Sequence, residues 1–234
     1  MIFMAFFQSS ENPQPMDLSQ VISHIWLEQA LFAMLPWSLD RDVAAQIRTG
    51  NVAYELVRPV DLYGFWFSRA LAMRVAPMLL RSVPLVALSA GLIPLVGGNA
   101  WALHAPASAL AGTLFAVSLA AALLLACCFT VLLSITLMWT ISAEGVANLM
   151  PVAIMVLSGI IIPLPFYPDW FQPVLKVLPF RGLLDVPLRI YNGSIPVRGF
   201  LEELGIQGAW IVALVAAGRF ALSRGIKRIV VQGG

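Results

Sequence analysis

An all-α membrane fold, a polytopic helical bundle, follows from three observations on the sequence. Hydrophobic residues make up 60% of the chain and charged residues 11%, with a mean hydropathy of +0.87, a balance that suits lipid better than water as the solvent. From Ser82 to Ala143 there is no Asp, Glu, Lys or Arg. A hydrocarbon core about 30 Å thick is crossed by about 20 helical residues, so that stretch alone holds two crossings. Lysine and arginine gather in blocks set apart by uncharged segments, the distribution that orients a multi-span protein.

Taken in order, the apolar start Met1–Phe7 has no basic flank and no convincing cleavage site. It reads as the remnant of a sixth spanning helix rather than as a secretory signal. Val21–Leu39 is the first crossing, with His24 and Glu28 forming a polar stripe on it. Ser38–Arg74 carries five arginines with amphipathic spacing, which cannot lie in hydrocarbon, so residues 40–76 form a loop between spans. Pro77–Val96 crosses next, with Arg81 near enough to its start to snorkel to the interface. "GGNAWALHAPAS" is a turn, Ala109 to about Thr140 a long helix, and "SAEGVAN", with Glu144, a tight polar break before Leu149–Pro163 crosses back. Ile206–Leu222 is the last crossing. The expected fold is one transmembrane domain over residues 1–234, with five full spans plus the remnant and no repeat of fixed period.

Six arginines between Asp40 and Arg81 and four cations from Arg219 onward face the cytoplasm, whereas Gly97–Ser108 holds none. By alternation residues 164–205 lie outside. There "GIIIPLPFYPDWFQPVLKVLPF", Gly159–Phe180, contains five prolines. Each removes a backbone donor and interrupts a helix, so the pieces are short. Non-helical backbone at membrane depth needs protein or water around it. Phe166, Tyr167, Trp170 and Phe171 suit the interface, while Val174, Leu175, Val177 and Leu178 can dip deeper. A re-entrant helical hairpin and a flat amphipathic segment on the outer surface both satisfy these conditions.

Several functions lose support. A formal charge of +2, with its cations in topological blocks, does not suit nucleic acid. Cys127 and Cys128 are adjacent in an apolar run and read as packing residues. His24 and Glu28, four apart, share a helix face, but two ligands are too few for zinc and His104 is the one other histidine; no metal is expected. There is no Gly-x-Ser-x-Gly elbow and no phosphate-binding loop, so an ATPase, if one powers the chain, is another polypeptide. The uncharged run through Cys127 argues against an ion-coupled carrier. Asn192-Gly193-Ser194 reads as a turn rather than a glycosylation acceptor, and Glu144 either contacts a partner or caps the helix that follows it.

The loop is more specific. Thr49-Gly50-Asn51 supplies a turn and Pro59 after Arg58 a second break, leaving a short helix between them. Val52, Tyr54 and Leu56 form an apolar patch beside Glu55, Arg58 and Asp61, the makeup of an exposed knob that fits a partner's groove. The alternative is an interfacial helix resting on lipid, with Tyr63, Phe65, Trp66 and Phe67 in the headgroup zone.

"DVAAQIRTGNVAYELVRPVDLYGFWFSRAL" from Asp42 and "MWTISAEGVANLMPVAIMVLSGIIIPLPFYPDWFQPVLKVLPFRGLLDVPLRIYNG" from Met138 resemble the permease subunits of bacterial type-2 ABC exporters, and the likeness runs from about Asp40 to the end. It implies a multi-pass subunit of the bacterial inner membrane that pairs with a second copy or a related permease. Two cytoplasmic ABC ATPase subunits would bind it and hold the ATP and Mg, and this chain would bind no cofactor and make no bond. The resemblance places a coupling helix within Gly50–Asp61. The ATPase contact then draws on Arg48, Gly50, Asn51, Tyr54, Glu55 and Leu56, and on Arg58, Pro59, Asp61 and Glu144. It also implies that residues 164–205 enter the outer leaflet and return, with Pro163, Pro165, Phe166 and Tyr167 and then Trp170, Phe171, Pro179 and Phe180 at an external gate. Members of the family have six spans and a cytoplasmic amino terminus, so the short start is a departure.

Two rival readings are a membrane enzyme acting on a lipid-linked substrate through His24, Glu28 and His104, and a non-transporting anchor for an ATPase. Alanine at His24 and Glu28 separates the first from a permease. The enzyme loses its activity outright, whereas the permease keeps most of its stimulation of the ATPase in a reconstituted hydrolysis assay.

Overall fold

The computed structural model describes residues 16–139 and 144–228; the apolar start at Met1–Phe7 lies outside the described residues. Every regular element among them is helical. Helix α1 (Leu18–Leu31) ends in a 3₁₀ turn, Phe32–Met34, and is followed by the short helices α2 (Arg41–Arg48) and α3 (Val52–Leu56). Helix α4 (Leu62–Val86) continues through a π-helical stretch, Ala87–Leu92, and a last turn, Ile93–Leu95. Then come α5 (Ala109–Thr136), α6 (Glu144–Leu157), α7 (Gln172–Val177), α8 (Asp185–Tyr191) and α9 (Val197–Gly225).

Among the described residues three helical runs are long and apolar enough to cross a membrane: Leu62–Leu95 with 34 residues, Ala109–Thr136 with 28 and Val197–Gly225 with 29. Helices α1 and α6 have 14 residues each, about 21 Å at 1.5 Å per residue. The crossings expected over Val21–Leu39 and Leu149–Pro163 thus have helices shorter than a bilayer core, prolonged by irregular chain. The run expected from Pro77 starts earlier, at Leu62, so the second half of the segment 40–76 is helix rather than loop. Asp61 caps its start, accepting a hydrogen bond from the Gly64 N–H at 3.0 Å. Tyr63, Trp66 and Ala70, at helical spacing, bury into one cluster with Val43, Val131 and Leu222. Arg69, and Arg74 on the buried face itself, masked that periodicity. Arg81 donates to the Gln29 carbonyl at 2.6 Å and to Gln29 Oε1 at 3.1 Å, tying α4 to α1.

Helix α5 is the axis. It packs on α9, α8 and α4, and 56% of its most apolar stretch is buried against 11% and 17% for the other two long runs. Leu125, Ala126, Cys128 and Phe129 meet Leu27, Leu31, Ile154 and Leu183 in the main core. Cys127 and Cys128 are buried free thiols that serve as small packing residues. Ser118 donates to Gln207 Oε1 at 3.0 Å and Met138 lies against Gly225, so α5 and α9 run side by side in the same direction. Asp61, before α4, pairs with Arg219 late in α9, so α4 runs the opposite way.

Gly218 lets α9 close on α4: an added Cβ would lie 2.7 Å from the Tyr63 ring, the small-residue contact by which membrane helices approach. Gly218→Val is expected to cost about 1–3 kcal/mol by overpacking, read as a lower Tm of the detergent-purified protein. Gly208→Ala, which faces open space, leaves Tm unlowered.

Candidate functional site

Two ends of the bundle concentrate polar side chains. At the first, α2 starts at Asp40, whose Oδ1 accepts the Asp42 and Val43 N–H groups at 2.9 and 3.3 Å. Gly50, at φ +75°, turns the chain into α3, a conformation that glycine adopts without strain. Val52 is fully buried with Leu62 and Trp66. This corrects its expected place on the exposed patch: α3 needs one apolar anchor, and Val52, at its first turn, packs in one cluster with Leu62 and Trp66 of α4. Tyr54 is 76% exposed and Leu56 40%, and beside them Val57 is 84% and Val60 53% exposed. The outward apolar face is therefore Tyr54, Leu56, Val57 and Val60. The last two flank Arg58-Pro59 and look like linker in the sequence.

Polar contacts brace this face from behind. Trp66 Nε1 donates to Glu55 Oε2 at 3.1 Å. Arg219 reaches Asp61 Oδ2 at 2.8 Å while its guanidinium lies 5.1 Å from the centre of the Tyr63 ring. Arg69 bridges Asp40 at 3.1 Å and Asp42 at 2.8 Å. Arg48, Asn51, Arg58 and Pro59 are exposed around the knob, and Glu144 is the first residue of α6. Tyr63 and Trp66 are buried in the protein, which corrects their expected place in a headgroup zone: their rings fill the seam between α4, α5 and α9.

At the other end, Gly159 at φ +91° follows α6, and the chain proceeds in short pieces, as the prolines require. The 3₁₀ turn Leu164–Phe166 begins after Pro163 and contains Pro165. Tyr167 donates its hydroxyl to the Val156 carbonyl at 2.8 Å. Gln172 Nε2 donates to the Leu164 and Tyr167 carbonyls at 2.7 and 3.0 Å. Phe171 lies 6.0 Å from the Tyr167 ring and 5.4 Å from that of Trp170, and Trp170 is 78% exposed. Leu175 turns inward while Val174 and Val177 stay exposed. Pro179 is buried, opening the turn Pro179–Leu183, and Phe180 stacks on Phe129 of α5 at 5.3 Å. Beyond it Leu183, Leu184, Val186, Leu188 and Ile190 are all buried.

Charge closes this end. Arg181 contacts Asp185 at 3.1 Å and Glu203 at 2.6 Å, and Arg189 lies 3.6 Å from Asp185. Burial works against the Arg181 charge, and the carboxylates of Asp185 and Glu203 outweigh it, holding the guanidinium above its ordinary pKa. Gln207 donates to the Gly182 and Ser118 carbonyls at 2.8 and 3.2 Å. Read as a sequence, these charges cancel in the orientation count; the i,i+4 spacing of Arg181, Asp185 and Arg189 was the available signal. His24 is buried, and its Nδ1 has no hydrogen-bond partner among the described residues, whereas Ser23 Oγ lies 3.4 Å from His104 Nδ1. Glu28 is buried beside Gln29.

The family described as ABC-2 family transporter protein matches residues 15–233. The chain belongs to the ABC-2 transporter family. No curated protein and no solved structure matches it. Membership makes the chain a membrane permease of an ABC transporter, a transport component rather than a catalyst, and implies association with an ABC ATPase subunit. In this ABC-2 permease the two charge clusters differ in depth. Arg181→Ala leaves Asp185 short of a partner and is expected to destabilise by about 3–5 kcal/mol. Arg219→Ala, at a half-exposed pair, costs about 0.2–1 kcal/mol. Thermal unfolding of the two purified variants checks the order.

Proposed function

We propose that this permease is an exporter subunit of the bacterial inner membrane. It works as a dimer, with a second copy or a related permease, bound to two cytoplasmic ABC ATPases that hold the ATP and Mg. The chain itself holds no cofactor. The observation that carries this reading is the exposed apolar face of α3, whose two supports, Glu55–Trp66 and Asp61–Arg219, lead into α4 and α9. A partner that seats Tyr54 and Leu56 in a groove, with Arg48, Gly50, Asn51, Arg58 and Pro59 at the rim, moves both long helices when it closes on ATP. Glu144, at the start of α6, lies at the same contact.

Five crossings fit this arrangement. Support comes from the course of α1 and the turn that follows it, which meet Asn192 through Gln20 and Arg74 through Leu35, and so travel from one end of the bundle toward the other. Leu18 to Leu35 covers about 26 Å at helical rise. The basic block of residues 40–81 supports a cytoplasmic position for the knob. Residues 164–205 are then external, and the burial of Leu183 to Ile190 favours a re-entrant hairpin over a flat surface segment. Pro163, Pro165, Phe166 and Tyr167 form its outer lip together with Trp170 and Phe171. Pro179 and Phe180 seat it on α5, so that it gates the path from outside.

Tyr54→Ala and Arg58→Glu, both on exposed side chains, are expected to lower substrate-stimulated ATP hydrolysis roughly tenfold with the permease still folded and inserted. Asp61→Asn is expected to uncouple transport from hydrolysis in the same way. Wild-type coupling in Tyr54→Ala and Arg58→Glu, measured in proteoliposomes with the ATPase, overturns the assignment of α3 as the coupling element.

A further inference from the structure

Arg74 is a buried arginine without a carboxylate. It is 7% exposed, and none of the ion pairs among the described residues includes it. The other buried arginine, Arg181, has two acidic partners. Nη1 of Arg74 donates to the Met34 carbonyl at 3.1 Å and to the Leu35 carbonyl, and Nη2 donates to Thr130 Oγ1. A guanidinium has five N–H groups. Capping the end of α1 and holding α5 through Thr130 engages three of them, and Nε has no partner. Neither role supplies a negative charge, and a desolvated cation seeks one.

A cavity of about 160 Å³ opens beside it, lined by Arg74, Thr130, Ser38, Trp37, Met73 and Leu35. That is smaller than the roughly 300–1,000 Å³ of pockets that enclose whole organic ligands, so it takes one group rather than a complete substrate. Its rim mixes exposed Ser38 and Met73 with the partly buried Trp37. Along α4, Arg74 lies about 18 Å from Leu62 at helical rise, and the last charge on that helix is Arg81. The cavity therefore sits where the charged half of α4 meets its apolar half, the level of the headgroups, where the anion at hand is phosphate. Arginine binds phosphate oxygens through paired N–H donors.

We propose that the cavity beside Arg74 is a binding site for a phosphate group, presented by an anionic phospholipid headgroup or free in solution. Its assignment to the cytoplasmic leaflet rests on the orientation proposed above; the site itself does not.

The test uses the full-length protein purified in mild detergent, without the ATPase, so that its outcome is independent of the coupling assignment. Native mass spectrometry counts retained phosphatidylglycerol against phosphatidylcholine, and thermal unfolding is followed with and without inorganic phosphate. The wild type is expected to retain one phosphatidylglycerol per chain, with retention falling about tenfold in Arg74→Gln and in Ser38→Glu, which sets a like charge at the mouth; tenfold corresponds to about 1.4 kcal/mol. Arg198→Gln, an exposed cation elsewhere, retains the lipid. Protection by inorganic phosphate without lipid retention, lost in both variants, supports the same site with a soluble source. Should Arg74→Gln fail to fold, Ser38→Glu alone decides. Equal retention in wild type and Ser38→Glu, with no phosphate-dependent shift in Tm, overturns the proposal.

Discussion

Backbone carbonyls left open at helix ends find no water at membrane depth, and the organisation of this chain follows from how they are satisfied. Long polar side chains reach across the bundle to them. Trp37 serves Phe32, Trp26 serves Trp101, Tyr167 serves Val156 and Trp210 serves Val177, each at 2.8 Å. Gln20 and Asn192 exchange bonds to each other's carbonyls at 3.2 and 3.3 Å. Gln172, Gln207, Arg74 and Arg81 supply the remaining cases described above. These donors let short and broken pieces such as α1, α7 and α8 persist beside three long helices, because several breaks are closed by a side chain from a neighbouring segment or from another element.

The two ends of the bundle use that constraint differently. Around residues 159–191 the irregular chain is locked to α5, α6 and α9 by buried rings, amides and charges, which suits a part that must keep its shape while helices shift around it. Around α3 the contacts are fewer and mostly exposed, with a single apolar anchor in Val52. A five-residue helix held by one buried side chain, one indole and one ion pair is a transmitting element rather than a core element, in keeping with the partner-driven movement proposed for it.

Much of this was legible in the sequence, and the limits have physical causes. Helix α5 was readable because an uncharged run of that length has few other stable states, and the turn at Gly50 because Thr-Gly-Asn favours φ > 0. The short pieces after Pro163 followed from missing donors. The start of α4 was hidden because Arg69 and Arg74 argue for solvent until their partners are known. Those partners lie 27 to 56 residues away in sequence. The inward turn of Val52 was equally hidden, since a helix of little more than one turn displays no periodicity. The Arg181 cluster cancelled itself in a charge count, although its members are neighbours in space.

Glu203 and Arg219 lie on the same helix, about 24 Å apart at helical rise, and their ion pairs stand in unlike surroundings. Asp61 and Arg219 are 53% and 56% exposed, whereas Arg181 and Asp185 are 6% and 0% exposed. Mobile ions screen exposed charges over about 8 Å at physiological ionic strength and reach buried ones far less. Added salt thus loosens the link between α4 and α9 beneath the knob and leaves the opposite end of α9 clamped, which makes ionic strength a handle on one terminus of a helix whose other terminus does not respond.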